Sequence, residues 1–372
     1  MRWLPGIAIA MLLAACGGGS SSSPETPDPA PPPPPASITV IDVSQPWVTA
    51  TPASVSMDEV RLNRGISDLS GMSRVRSVLV ARHGKLIAQN YLGGTSQATR
   101  FDLRSVTKSV VSMLTAIAIA QGDLSGLDAT VGDHLGTPYV LDAGDRAVTV
   151  RQMLTMTSRY QWNESNGDDY NRWIVTDDHV QYLLDRSQTA SADFEYNSAL
   201  VHMLGVVLEH ATGQKLPQFA QDALFDRLGI TSVEWEVLDA EHVNGGSGIR
   251  MTAEDLLRFG QWILQKGNSG RAQIVTEEWV REATTPKFNW RNTYNQQRST
   301  TYGYLWWVAD APAVPAAFAW GYGGQFVYVA PSLDMVIVVT TDWVGMSAET
   351  NPSAFAGQIL SIIAGDILPA AR

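Results

Sequence analysis

The feature that most limits how this chain can fold is the placement of its strand-forming segments. Near one end, Ser77 to Arg82 and Lys85 to Tyr91 are two strand-like runs around the tight turn His83-Gly84. Near the other, Gln325 to Ala330 and Met335 to Thr341 flank the turn Pro331-Ser-Leu-Asp334 and are rich in Val, Ile, Phe and Tyr. The sequence between them is helical in period. Ser105 to Gln121, ended by Gly122, sets Val106, Val110, Met113, Leu114 and Ile117 at helical spacing with few charges, which predicts a central buried helix. Val150 to Gly213 alternates helical patterns with polar loops. Thr252 to Gly267 is a helix with Thr252 as N-cap and Asp255 as capping partner, and Ser353 to Ile363 is a closing helix. These elements predict an α+β fold: an antiparallel sheet built from N- and C-terminal strands, flanked by helices, with a mostly helical region inserted.

The 372 residues suffice for a full core, and 37 acidic against 26 basic residues give a net charge of −11. That balance argues against nucleic acid or anionic lipid headgroups as the main partner, since both need a basic surface, and no nucleic-acid partner is expected. A single cysteine excludes an intrachain disulfide and any Cys-based metal site.

The N-terminus reads as address and tether. Arg2, the apolar run Leu4 to Leu13 and small residues before Cys16 describe a secretory signal over residues 1–15, too short to span a bilayer. Leu13-Ala-Ala-Cys16 resembles the bacterial lipobox, in which the cysteine becomes the lipidated first residue. Cleavage there removes Arg2 and takes the balance from −11 to −12. Residues 16–36 then form a lipidated Cys plus a Gly/Ser/Pro-rich tether with five consecutive prolines, a spacer of up to roughly 60 Å. Residues 37–372 are the expected folded domain. Gly17, rather than Asp, resembles the outer-membrane sorting pattern of a Gram-negative source. The expected location is therefore the cell envelope, facing the periplasm, with Cys16 as the membrane contact.

Most familiar chemistries lack their residues. The six histidines, at 83, 134, 179, 202, 210 and 242, form no HExxH or other metal-ligand spacing, so no metal is expected. Gly245-Gly-Ser-Gly-Ile249 begins like a nucleophile elbow but ends in Ile, and no glycine-rich phosphate loop precedes a helix. Ser105-Val-Thr-Lys108 differs. Serine is a weak nucleophile until its proton is removed, and one helical turn brings the Lys108 amine beside the Ser105 hydroxyl. Burial and the positive helix N-terminus both disfavour the ammonium, which suits lysine to act as base. The plain structural alternative is a capping serine beside a solvated lysine.

Phe101-Asp-Leu-Arg-Ser-Val-Thr-Lys-Ser109 resembles the nucleophile segment of the serine β-lactamase and penicillin-binding superfamily, in its class C-like branch. That branch holds β-lactamases, D-Ala-D-Ala carboxypeptidases, esterases and aminohexanoate-dimer hydrolases. Ordered matches follow from roughly Arg74 to Val339: Val148 to Ser158, Phe194-Glu-Tyr-Asn-Ser198, Gly245 to Ala253, and Tyr302-Gly-Tyr-Leu-Trp-Trp307. The resemblance implies a β-lactamase/transpeptidase-like fold, Ser105 as nucleophile, Lys108 as its base partner and Tyr196 sharing that proton. It also implies an oxyanion hole from the Ser105 amide and an amide of Gly323-Gly324-Gln325. Ser198, Tyr322, Gly323, Gly324 and Gln325 are the expected substrate contacts, and Trp162, Tyr170, Trp173 and Tyr322 are candidate linings of an acyl pocket.

Two departures sharpen the expectation. The family's Tyr-x-Asn appears as Tyr196-Asn197-Ser198. Its third motif, Lys-Thr-Gly in β-lactamases and often His-x-Gly in esterases, appears within Trp320-Gly-Tyr-Gly-Gly-Gln325, without the cation a β-lactam carboxylate needs. The chain is thus expected to be a lipid-anchored serine hydrolase that cleaves a small ester or amide through an acyl-enzyme on Ser105, with no cofactor. β-Lactamase or D-Ala-D-Ala carboxypeptidase activity is the alternative, and a binding lipoprotein of the same fold without turnover is the second.

Overall fold

A computed structural model describes residues 37–371 apart from 165–167, 240–241, 289–291, 296–297, 310–313 and 347–350. The signal, the tether and Cys16 lie outside the described residues. β1 (Val75–Arg82) and β2 (Lys85–Tyr91) form the expected hairpin. His83 and Gly84 at its turn both have positive φ, 51° and 67°, as a two-residue type I′ connection requires.

β1 pairs antiparallel not only with β2 but with a strand from the far end of the sequence. A short sheet follows first: β3 (Arg100–Asp102), β4 (Glu234–Trp235) and β5 (Ile249–Thr252), in the order β3-β5-β4. The later strands are β6 (Asn292–Asn295), β7 (Arg298–Tyr302), β8 (Trp307–Ala309), β9 (Ala316–Gly321), β10 (Gln325–Ala330) and β11 (Met335–Thr341). With the first hairpin they make an eight-stranded sheet, β2-β1-β11-β10-β9-β8-β7-β6. Leu79 lies opposite Val338 and Val80 opposite Ile337, and β10 and β11 are buried along their whole length. That explains their unbroken apolar runs, which need cover on both faces.

The helices used below are α1 (Glu59–Gly71), α2 (Val106–Gln121), α3 (Val150–Thr155), α4 (Asp168–Trp173), α5 (His179–Leu184), α6 (Ser198–Thr212), α7 (Ala253–Leu264) and α8 (Pro352–Ile362). α2 is the predicted central helix: every residue from Val106 to Ala118 is buried, and it packs against α6 and β9. α3 to α6 occupy the region where helices alternate with loops. α7 has the predicted cap, with Thr252 Oγ1 accepting from Asp255 N at 3.1 Å and donating to its carboxylate at 2.8 Å. It stops at Leu264 rather than Gly267, because Lys266 and Gly267 both take left-handed φ.

Candidate active site

The nucleophile segment is fixed by the short sheet. β3 runs into Leu103, whose N–H donates to Ile249 O at 3.0 Å, and the Ile249 N–H donates to Thr107 Oγ1 at 3.1 Å. These bonds pin the first turn of α2 to β5. Ser105 stands at the N-cap, yet its side chain caps nothing. An N-cap serine ordinarily accepts from the helix backbone, so the capping alternative fails here.

The Ser105 hydroxyl faces Lys108. Lys108 Nζ is fully buried and donates to Ser105 Oγ at 2.9 Å, Ser198 Oγ at 2.7 Å and Gly246 O at 2.8 Å. Burial pushes its pKa down to about 8, with help from the charge of Arg104 and against the charge of Glu164. As an ammonium it has three N–H groups for three acceptors. When it loses one proton, Ser198 and Gly246 hold the two that remain, and the lone pair is left for the Ser105 O–H. That is the geometry of a general base.

Ser198 can act as an acceptor because its own proton is placed elsewhere. Its hydroxyl donates to Glu164 Oε1 at 2.6 Å and its backbone N–H to Glu164 Oε2 at 2.7 Å, while Trp162 Nε1 donates to the same carboxylate at 3.0 Å. Asn197, in the middle of the motif, caps α6 through Leu200 N at 2.9 Å. Gly246 must lie close: a Cβ on it would sit 2.5 Å from Ser198 O, so only glycine lets this loop present its carbonyl to the lysine.

The expected site residues divide as follows. Ser105 and Lys108 meet directly. Tyr196 is beside them, its ring centroid 4.9 Å from Lys108 Nζ and its ring stacked on Trp307 at 5.8 Å. Ser198, expected to touch substrate, instead orients the lysine. Gly321 brings the third motif to the nucleophile, since a Cβ there would lie 2.1 Å from Leu103 O. Tyr322 is 46% exposed at the rim beside Trp343. The Gly324 N–H is taken by Gly321 O at 3.1 Å, and its α-carbon faces Ile359 and Thr341 rather than the cleft.

The Gln325 side chain is also not a substrate contact. It is fully buried, donates to Thr341 Oγ1 at 2.6 Å and accepts from Thr341 N at 2.9 Å, because a polar group inside a sheet must be paired. Gly323 lies under Trp343. Among the proposed pocket aromatics, Trp173 is fully buried and donates to His179 O at 3.0 Å, so it is core. Trp162 is buried against Glu164, and Tyr170 faces Arg104. Two residues escaped sequence reasoning altogether: Glu164, in a polar loop, and Arg104, directly before the nucleophile.

Comparison with known proteins places the chain in a family and a fold. Residues 64–356 match the family described as Beta-lactamase. The 6-aminohexanoate-dimer hydrolase of Paenarthrobacter ureafaciens is 23% identical over 292 residues, covering 71% of this chain and 72% of that one. Esterase EstB of Burkholderia gladioli is 34% identical over 170 residues, 39% of this chain and 43% of its own length. A solved Bacillus anthracis structure, provisionally described as a 6-aminohexanoate-dimer hydrolase, shares the fold at a TM-score of 0.69 and 18% identity, covering 90% of this chain and 89% of its own. With a Ser-x-x-Lys pair joined at one end of a buried helix and the family match spanning most of the folded region, the chain belongs to the β-lactamase family of serine hydrolases.

Proposed function

We propose that this hydrolase cleaves an ester or amide of a small molecule through an acyl-enzyme on Ser105. The observation that carries the reading is the buried Lys108 amine held between Ser105, Ser198 and Gly246. Lys108 takes the Ser105 proton as Oγ attacks the carbonyl carbon. The resulting oxyanion is met by the Ser105 amide, which has no intrahelical partner, and by an amide of the third-motif turn. Collapse expels the alcohol or amine, which receives the proton from Lys108 with Tyr196 alongside. Water then repeats the sequence and frees the acid.

An aminohexanoate-dimer hydrolase and an esterase among the relatives support ester and amide substrates. Tyr322 in the third-motif stretch, without a lysine beside it, argues against efficient β-lactam or D-Ala-D-Ala turnover. A fluorophosphonate probe should label the protein and not its Ser105→Ala variant; equal labelling of both sinks the assignment. Nitrophenyl esters should be turned over faster than nitrocefin, and rapid nitrocefin hydrolysis would overturn that preference. Stoichiometric acylation without release would favour the non-turnover binding role. The same reading places the enzyme on the cell envelope through lipid on Cys16, which labelled palmitate should mark in the natural chain and not in Cys16→Ser.

A further inference from the structure

The stretch that carries Trp162 and Glu164 is held by two charged residues from the α4 and α5 region. Asp169, in the first turn of α4, is 6% exposed, and Arg186 follows the end of α5. Arg186 Nη2 donates to Asp169 Oδ1 at 3.0 Å. The other carboxylate oxygen, Oδ2, accepts from the Asn163 N–H at 2.7 Å, and Arg186 Nε donates to Gln161 O at 3.2 Å. The Gln161 N–H is taken by Ser187 O at 2.8 Å, directly after the arginine. Asp169 and Arg186 thus pair with each other and grip the backbone on both sides of Trp162, immediately before Glu164. Hydrogen bonds to ionised groups are shorter and stronger than neutral ones, and here they stand in for the regular ladder that a loop lacks.

Charge balance calls for the same pair. Burial first, then the charges of Glu164 and Asp169, raise the Glu195 carboxyl above its usual range. Three carboxylates therefore share this corner of the fold, beside the motif that carries Tyr196. Arg186 offsets the one on Asp169. Without it, an uncompensated Asp169 would push Glu164 from its place on Ser198.

The contacts run on from the pair to the lysine. Glu164 accepts from Trp162 Nε1 and from both Ser198 donors, and Ser198 Oγ is an acceptor for Lys108. We propose that Asp169 and Arg186 are positioning residues for the catalytic base. By setting the backbone before Glu164 they set, through Ser198, the direction in which Lys108 presents its lone pair to Ser105. For turnover this rests on the hydrolase reading above; for the state of the lysine it does not.

Burial lowers the Lys108 pKa, Glu164 raises it and Arg104 lowers it, while the Tyr196 ring lies 4.9 Å from the amine. Displacing Glu164 therefore lowers that pKa further. NMR of isotope-labelled lysine in the full chain, which has five lysines, reads the titration directly, with Lys108→Met giving the assignment. In Arg186→Met the Lys108 midpoint should fall by at least about half a pH unit. Its kcat should fall by about ten- to a hundredfold with KM little changed. In a Glu164→Gln background the same substitution should do neither. An unmoved midpoint in folded Arg186→Met, or equal effects with and without Glu164, overturns the proposal. If Arg186→Met fails to fold, Asp169→Asn, which keeps an oxygen for Asn163, and Arg186→Lys, which keeps the charge, carry the same comparison with smaller shifts. A moved midpoint in a protein that hydrolyses no ester supports the role of the pair and sinks the hydrolase reading instead.

Discussion

The carboxylate of Glu164 grips Ser198 twice, through the hydroxyl at 2.6 Å and the backbone N–H at 2.7 Å. This turns the serine into a fixed acceptor for Lys108, so a residue far from the nucleophile in sequence determines where the lysine's protons point. Glu164 also holds the Lys108 pKa up against burial. Glu164→Gln should therefore move the acidic limb of the kcat/KM profile to lower pH and reduce kcat by about tenfold or more. Glu164→Asp should restore part of the limb's position. A limb that stays in place would show that the carboxylate is structural only.

On the proposed mechanism Lys108 sets the wild-type limb. Its pKa of about 8 means that the base form grows as pH rises through that value, so kcat/KM should climb toward a plateau above it. Lys108→Met should abolish the limb and lower kcat by roughly 10²- to 10⁴-fold. Retention of a limb near pH 8 in that variant would assign the titration to another group.

Gly246→Ala tests the loop that supplies the lysine's third acceptor. Its new Cβ would meet Ser198 O at 2.5 Å, so either the loop or the start of α6 must shift. We expect a destabilisation of about 1–3 kcal/mol in denaturant titrations and a fall in kcat larger than any rise in KM. Wild-type kcat would show that Gly246 O is dispensable.

His202 predicts the acid stability of the fold. It is fully buried on α6, 5.6 Å from the Trp173 ring, with Nδ1 3.2 Å from Val243 O. Burial, reinforced by His179 and His242, pushes its pKa down to about 3 from 6.5. Below pH 6.5 the unfolded chain binds a proton that the folded chain refuses, so stability is lost as pH falls toward 3, by about 1.4 kcal/mol per pH unit. Thermal melts from pH 7 to 4.5 should show a shallower fall for His202→Phe, and parallel curves would remove His202 from the account.

What the sequence made legible follows from distance along the chain. Ser105 and Lys108 lie within one turn of a single helix, so their pairing could be read without a fold, as could the two hairpins from their turns. Glu164 was not legible, because a glutamate flanked by Asn163 and Ser165 looks like any solvated loop until Ser198 is brought to it. Arg104 was passed over for a similar reason: its aromatic neighbours, Tyr170 and Trp343, come from distant segments of the chain. Gln325 was misjudged because a polar residue at a strand start resembles a site contact, whereas its partner Thr341 is one strand away. Strands β6 to β9 were unassigned, being short and separated by aromatic and polar residues rather than by clear alternation.

The pairing of β1 with β11 joins two strands far apart along the chain, which gives the sheet a high contact order and favours a slow closure. In any chain ending before Met335, and so without β11, β1 keeps only β2 and β10 only β9, so each presents one bare edge open to aggregation. Truncation there should give an insoluble polypeptide and not a weaker enzyme. The turn carrying Gly321 to Gln325 therefore reaches Leu103 beside the nucleophile only in a chain whose sheet β11 has joined to β1.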